Sequence, residues 1–332
     1  MRRDKLNLGV ILRVMFSLIP ILFGMPVFAV ILCTYNIVMS FVVFGPLNAF
    51  VSALTATCLS MLLCGTYGEA AKLTGLFIAL EAVLCSIACI YSAVIKKKFF
   101  FGVCLTSLGY LIPGFINLRM EAAEAGLSVI DYLVSAPMEM VRSQLGAVLS
   151  QTQQTEHIDA IIEITSNFTA MIVPSILIIS SLFVGYVIMW SIAVQMRKHP
   201  QGIRHSFSEI RIPRTALPVL IISAVSLIFL IKSDFMFVPV NLIMVIIAVY
   251  FFAGVSFVDF YLRRGIKNTF FRILIHILVI VSASSISAIL PVVNVFVIYA
   301  LLAIIDSFLN FRKLSLDTDM RGEENETENG AV

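Results

Sequence analysis

Few residues in this chain are equipped for chemistry, and Glu81 leads them because it stands inside the apolar run LFIALEAVLC. An ionised carboxylate in hydrocarbon is costly, so such a residue marks a solute path, a proton path or a buried pair. Arg13 interrupts the first apolar run in the same way. Pairing of Arg13 with Glu81 would remove both bare charges from lipid, whereas an Arg near an interface can instead snorkel to water. Asn241 lies near the start of another apolar run and Asn294 lies within the last one; both suit hydrogen bonding between helices, and Asn241 also suits a solute. Glu81, Arg13 and Asn241 are therefore the substrate-pathway candidates. Asp259, Arg263, Arg264, Asp306 and Arg312 form a second group at apolar-run ends, where water or a neighbouring Arg can satisfy each carboxylate. His276 reads as a packed polar residue.

Catalytic signatures are missing: there is no HExxH, no GxSxG and no Walker A loop. His205 and Glu209 share helical i, i+4 spacing, but in a basic loop this reads as a solvated face. The six cysteines all lie in apolar runs, and Cys85 and Cys89 (i, i+4) have no His or carboxylate motif beside them. They read as small packing residues, not as a metal site or a disulfide framework. The expectation is a protein that is not an enzyme and holds no metal or cofactor.

The elements that must position these residues follow from composition. The chain has 332 residues, of which 60% are hydrophobic and 13% charged, against about 25% charged in a globular domain. Solid apolar runs of about 20 residues recur along it, the signature of helices that cross a bilayer. A membrane β-barrel would instead alternate every second residue. A net charge of +3 with no basic, aromatic-interleaved patch argues against nucleic acid.

Gly, Pro and charge punctuation divides the runs into spans near 8–24, 26–44, 47–64, 73–95, 99–116, 168–194, 215–231 and 238–258. A block at 270–309 is divided by Pro291. The reading is an all-α polytopic bundle of about ten spans, with eight as the alternative. The basic start resembles a signal peptide, but Arg13 breaks its apolar core, so it reads as a first span. The segments are 1–117 (membrane helices), 118–167 (an amphipathic extracytoplasmic helical segment), 168–311 (membrane helices) and 312–332 (a disordered cytoplasmic tail).

Orientation follows the excess of Lys and Arg on the cytoplasmic side. The N-terminus, Lys96–Lys98, the loops at 195–214 and 259–272 and the tail carry eighteen of the 23 basic residues. Ten spans place all five inside, with both termini cytoplasmic. The polar stretch at 118–167 then lies outside, with seven acidic residues against Arg119 and Arg142. Ile130, Leu133, Val134, Met138 and Val141 recur at helical spacing within it, and Pro137 is expected to kink or divide the helix. It reads as a pair of surface helices, as a lid over a solute site or as a docking surface. Pro20, Pro113 and Pro174 interrupt spans in the manner transporters use to offer backbone polar groups to solute.

Four stretches carry a resemblance: FSEIRIPRTALP, Asn241, AGVSFVDFYLRRGI and the ending IIDSFLNFRKL. They look like the YybS-like family of polytopic bacterial membrane proteins, over most of the chain. More distantly, the Pro- and Gly-punctuated first four spans are similar to the S components of energy-coupling-factor transporters, which have six spans and capture small solutes from outside. Those typically carry Ala-x-x-x-Ala in the first helix for docking to an energising module, and here Val10 and Val14 stand at that spacing, with Arg13 alongside. The likeness implies a bacterial plasma-membrane protein that binds or transports a small solute. The alternative is a non-transporting scaffold or regulator that docks protein partners. The implied partners are the lipid bilayer, a small molecule and other membrane proteins.

Overall fold

The computed structural model describes residues 7–96, 98–149, 156–196, 207, 210, 212, 216–231, 233–289 and 295–312. Among these the regular structure is helical throughout. Twelve α-helices follow one another: α1 (Leu8–Ser17), α2 (Ile19–Leu22), α3 (Pro26–Phe44), α4 (Pro46–Gly65), α5 (Glu69–Cys89), α6 (Phe99–Glu124), α7 (Val129–Leu149), α8 (Glu156–Met196), α9 (Ala216–Leu230), α10 (Phe237–Gly265), α11 (Thr269–Ile289) and α12 (Val295–Leu309). A π-helical turn, Ile90–Ile95, continues α5. Pro26 and Pro46 open α3 and α4, where the missing N–H costs nothing because first-turn donors have no intrahelical partner.

Among the described residues six helices are long and apolar enough to cross a membrane: Pro26–Phe44, Pro46–Gly65, Ala71–Ile95, Phe99–Glu124, Ile162–Met196 and Phe237–Gly265. The remaining apolar helices, Leu8–Leu22, Ala216–Leu230, Thr269–Ser282 and Val295–Leu309, are shorter. The first expected span is broken at Leu18, between α1 and α2, two residues before Pro20. The chain forms two compact units, residues 1–204 and 205–332.

In the first unit, α3, α5, α6 and α8 share a core built on Val38, Cys85, Cys89, Val103, Ile188 and Met189. A second cluster joins Val14 and Leu18 to Val30 and Cys33 of α3, Ala56 of α4 and Ile78 and Ala82 of α5. Small residues let the backbones close up, the usual basis of helix association where lipid removes the hydrophobic drive. Gly75 is one such point: a Cβ there would lie 2.5 Å from the Ser60 carbonyl oxygen, and the Ser60 hydroxyl donates to the Gly75 carbonyl at 2.8 Å.

The polar stretch is drawn differently from its sequence outline. Its boundaries at 117/118 and 167/168 fall within continuous helices, because polarity changes there while backbone hydrogen bonding does not. α6 runs past Pro113 to Glu124 and ends in a Schellman turn. Leu127 N–H donates to Ala122 O (2.9 Å) and Gly126 N–H to Ala123 O (3.1 Å), with Gly126 at φ +71°, where a side chain would be strained. The Ser128 hydroxyl then accepts from Asp131 N–H, a cap for the start of α7. α7 is helical through Pro137 and is not divided there. α8 is a single rod of 41 residues, about 62 Å long, roughly twice the hydrocarbon thickness of a bilayer.

The second unit is organised by α10 against α12, with Gly254 lying directly against the backbone of Tyr299. Asn294, Pro291, the His205–Glu209 pair, the turn at 151–155 and the tail from 313 lie outside the described residues.

Candidate functional site

On α5, Thr74, Ile78 and Glu81 recur at i, i+4, i+7 and share one face. On α6, Tyr110, Gly114, Asn117 and Glu121 do the same. These two faces look into one cavity of ≈ 370 Å³, within the range of small-molecule sites. Pro26 and Val27 at the start of α3 and Leu177 and Ser180 of α8 complete its walls, and Leu133 of α7 borders it. The helical segment at 118–167, for which a lid is one reading beside surface helices and a docking surface, thus contributes Leu133 to the cavity wall.

Glu81 is 8% exposed. Among the described residues it makes no hydrogen bond and no ion pair. It stands twelve residues from the start of α5, about 18 Å along the axis, and is therefore deep within the span. Room for its carboxylate comes from Gly114, where a Cβ would lie 3.0 Å from Glu81 Oε1. Glu121 is held differently. Asn117 Nδ2 donates to Glu121 Oε1 at 2.9 Å, and the Tyr132 hydroxyl donates to Glu121 Oε2 at 3.4 Å. The second bond ties α7 to the end of α6. The negative charge of Glu121 pushes the Tyr132 phenol above its ordinary pKa, which keeps the donor protonated. The cavity thus extends from a helix end, where a carboxylate fastens α7, to the depth of a carboxylate with no partner.

The pairing of Arg13 with Glu81 is not formed. The face of α1 that packs inward carries Val10, Val14 and Leu18, and Arg13 lies to one side of it, exposed. Burial of Val10 (2%) and Val14 (0%) also places the pair at the S-component docking spacing inside the unit's own core. Asn241 lies in the second unit and donates to the carbonyl of Phe237 on its own helix at 2.7 Å. Asn117, Tyr110 and Glu121 escaped the sequence reading as site residues; the i, i+4 spacing of Asn117 and Glu121 was the available signal.

In the second unit the charged residues close on one another. α12 ends at Leu309, and Asn310 adopts φ +47°, a left-handed turn that Asn tolerates. That turn brings Arg312 back onto Asp306, with Nη2 to Oδ2 at 2.8 Å and both side chains 1% exposed. Arg312 also donates to Ser256 Oγ (3.0 Å) and to the carbonyl of Ile210 (2.7 Å), while the Ser307 hydroxyl donates to the carbonyl of Ile212 (3.1 Å). Asp259 accepts from Arg272 Nε at 2.8 Å; Arg263 and Arg264 are exposed, and Arg264 stacks over Phe260 and Tyr261. Buried His276 faces the Tyr299 hydroxyl through Nδ1 at 3.4 Å. Ile210 and Ile212, Ser256, and Asp306, Ser307 and Arg312, which belong to three of the runs that carry the family resemblance, meet in this network.

Among the described residues no three His, Cys, Asp or Glu side chains converge as metal ligands. Comparison with curated proteins and with solved structures returned no match. The chain belongs to the family described as predicted membrane protein, DUF2232, whose model matches residues 7–307.

Proposed function

We propose that this membrane protein captures a small solute in the cavity between α3, α5, α6 and α8, with α7 as its cover, and that it does so without enzymatic chemistry. The observation that carries the proposal is Glu81. A carboxylate buried deep in a span with no partner is expensive to keep, and in a cavity of this size a ligand is the partner it lacks. The distribution of Lys and Arg favours the bacterial plasma membrane with both termini cytoplasmic, and with that orientation α7 and the Glu121 end of the cavity would lie outside. The proposed direction of capture, from outside, agrees with the distant likeness to S components. Docking to an energising module through the first helix does not fit, because Val10 and Val14 are occupied within the core.

A second reading has one observation in its favour. At about 62 Å, α8 exceeds the bilayer, and Met140, Ile164 and Phe168 on α7 and the first half of α8 are exposed. That suits a helical hairpin that docks a protein partner, as in a scaffold or regulator. The readings separate on the purified protein. Solute capture predicts a co-purifying small molecule, or thermal stabilisation by members of a metabolite panel, that Glu81→Gln abolishes. Stability unmoved across the panel in both forms, with a stable complex recovered through residues 118–167, would favour docking instead.

A further inference from the structure

Resting on that reading of the cavity, we infer that its solute is an organic cation, an amine or quaternary ammonium carried on an apolar body. The charge of the lining is one-sided. Of the lining residues only Glu81 and Glu121 carry carboxyl groups, and no Lys, Arg or His joins them. Their roles are already divided: Glu121 is engaged by Asn117 and Tyr132, whereas Glu81 is unpartnered, 8% exposed and given its space by Gly114. A cation placed beside Glu81 forms the charge-assisted hydrogen bond or ion pair that the fold withholds. The body of the ligand meets Val27, Ile78, Leu111, Phe115 and Leu177, so it is apolar. A bare divalent metal ion fits poorly. Mg²⁺ and Ca²⁺ take six or more oxygen ligands where apolar side chains dominate these walls, and among the described residues no three His, Cys, Asp or Glu side chains converge for a transition metal. The ammonium can come from a free amine or from the headgroup of an aminophospholipid, since both present the same chemistry.

The test uses the full chain in nanodiscs of phosphatidylglycerol, which carry no ammonium headgroup, with calorimetry of three probes of one shape: 3-phenylpropylammonium, 3-phenylpropan-1-ol and 3-phenylpropanoate. The inference expects the ammonium to bind at least about tenfold more tightly than the alcohol, and the carboxylate not at all. Glu81→Gln should remove that preference while leaving the alcohol within about twofold of its original affinity, a control that the variant is folded. Competition by added phosphatidylethanolamine supports the inference with a lipid as the source of the cation; its absence supports a free amine. Equal binding of alcohol and ammonium overturns the cation inference and leaves the solute site standing. Binding of none of the three overturns the inference and counts against the solute reading as well.

Discussion

The two units treat buried charge in opposite ways. In the second, Asp306 and Arg312 are buried at 1% side-chain exposure and pair with each other, and Arg312 spends further donors on Ser256 and Ile210. In the first, Glu81 is buried at 8% exposure and, among the described residues, has neither ion pair nor hydrogen bond. A closed network of charges fixes a chain crossing, here Ile210 and Ile212 against α10 and α12. An open carboxylate facing a cavity fixes nothing, and its cost is unexplained by packing. The contrast is what marks Glu81, and not Asp306 or Arg312, as the residue of the proposed solute site.

The comparison can be broken first at Arg312. Arg312→Met takes the buried guanidinium away from the Asp306 carboxylate, which should destabilise the second unit by about 3–5 kcal/mol; the Asp306→Leu, Arg312→Met double substitution should recover much of that. Thermal unfolding of both variants in detergent checks this, and an additive double variant would contradict the pairing. Asp259→Asn should cost less, about 1–3 kcal/mol, because Arg272 keeps the carbonyls of Ile266 and Lys267 as acceptors. Tyr132→Phe should cost about 0.5–1.5 kcal/mol or less, and should show itself locally as faster amide exchange in α7 than in α6. Gly114→Ala should change stability by less than about 1 kcal/mol yet weaken solute binding several-fold, since its Cβ displaces the Glu81 carboxylate. Unchanged binding in that variant would detach Glu81 from the site.

Much of the helical framework was legible in the sequence because lipid imposes internal hydrogen bonding and a fixed length on each span. Gly24-Met-Pro26 and Gly45-Pro46 mark real helix boundaries, since Pro fits a first turn. Polarity misled where it changes along one helix: Asn117–Glu124 and Glu156–Asn167 look like parts of a separate amphipathic helical segment beside the apolar runs, yet they continue α6 and α8. Glu81 announced itself by charge alone. Its surroundings did not, because Tyr110, Gly114 and Leu177 are ordinary membrane residues that become a lining only through helix rotation and packing. Arg13 failed as its partner for the same reason: hydrophobic patterning places α1 in the bundle but does not say that Val10 and Val14 would take the inward face. The second charged network was half legible. Asp259, Asp306 and Arg312 stood out, whereas Arg272 as the partner of Asp259 follows from the turn between α10 and α11.

The most direct test of the central claim is the thermal unfolding of wild type and Glu81→Gln, each with and without 3-phenylpropylammonium. The account predicts that the variant, relieved of an unpaired buried carboxylate, unfolds at the wild-type temperature or above it, and that the probe stabilises the wild type alone. A variant that unfolds well below wild type while keeping the full probe-induced shift would show Glu81 to be a structural residue and would contradict the account.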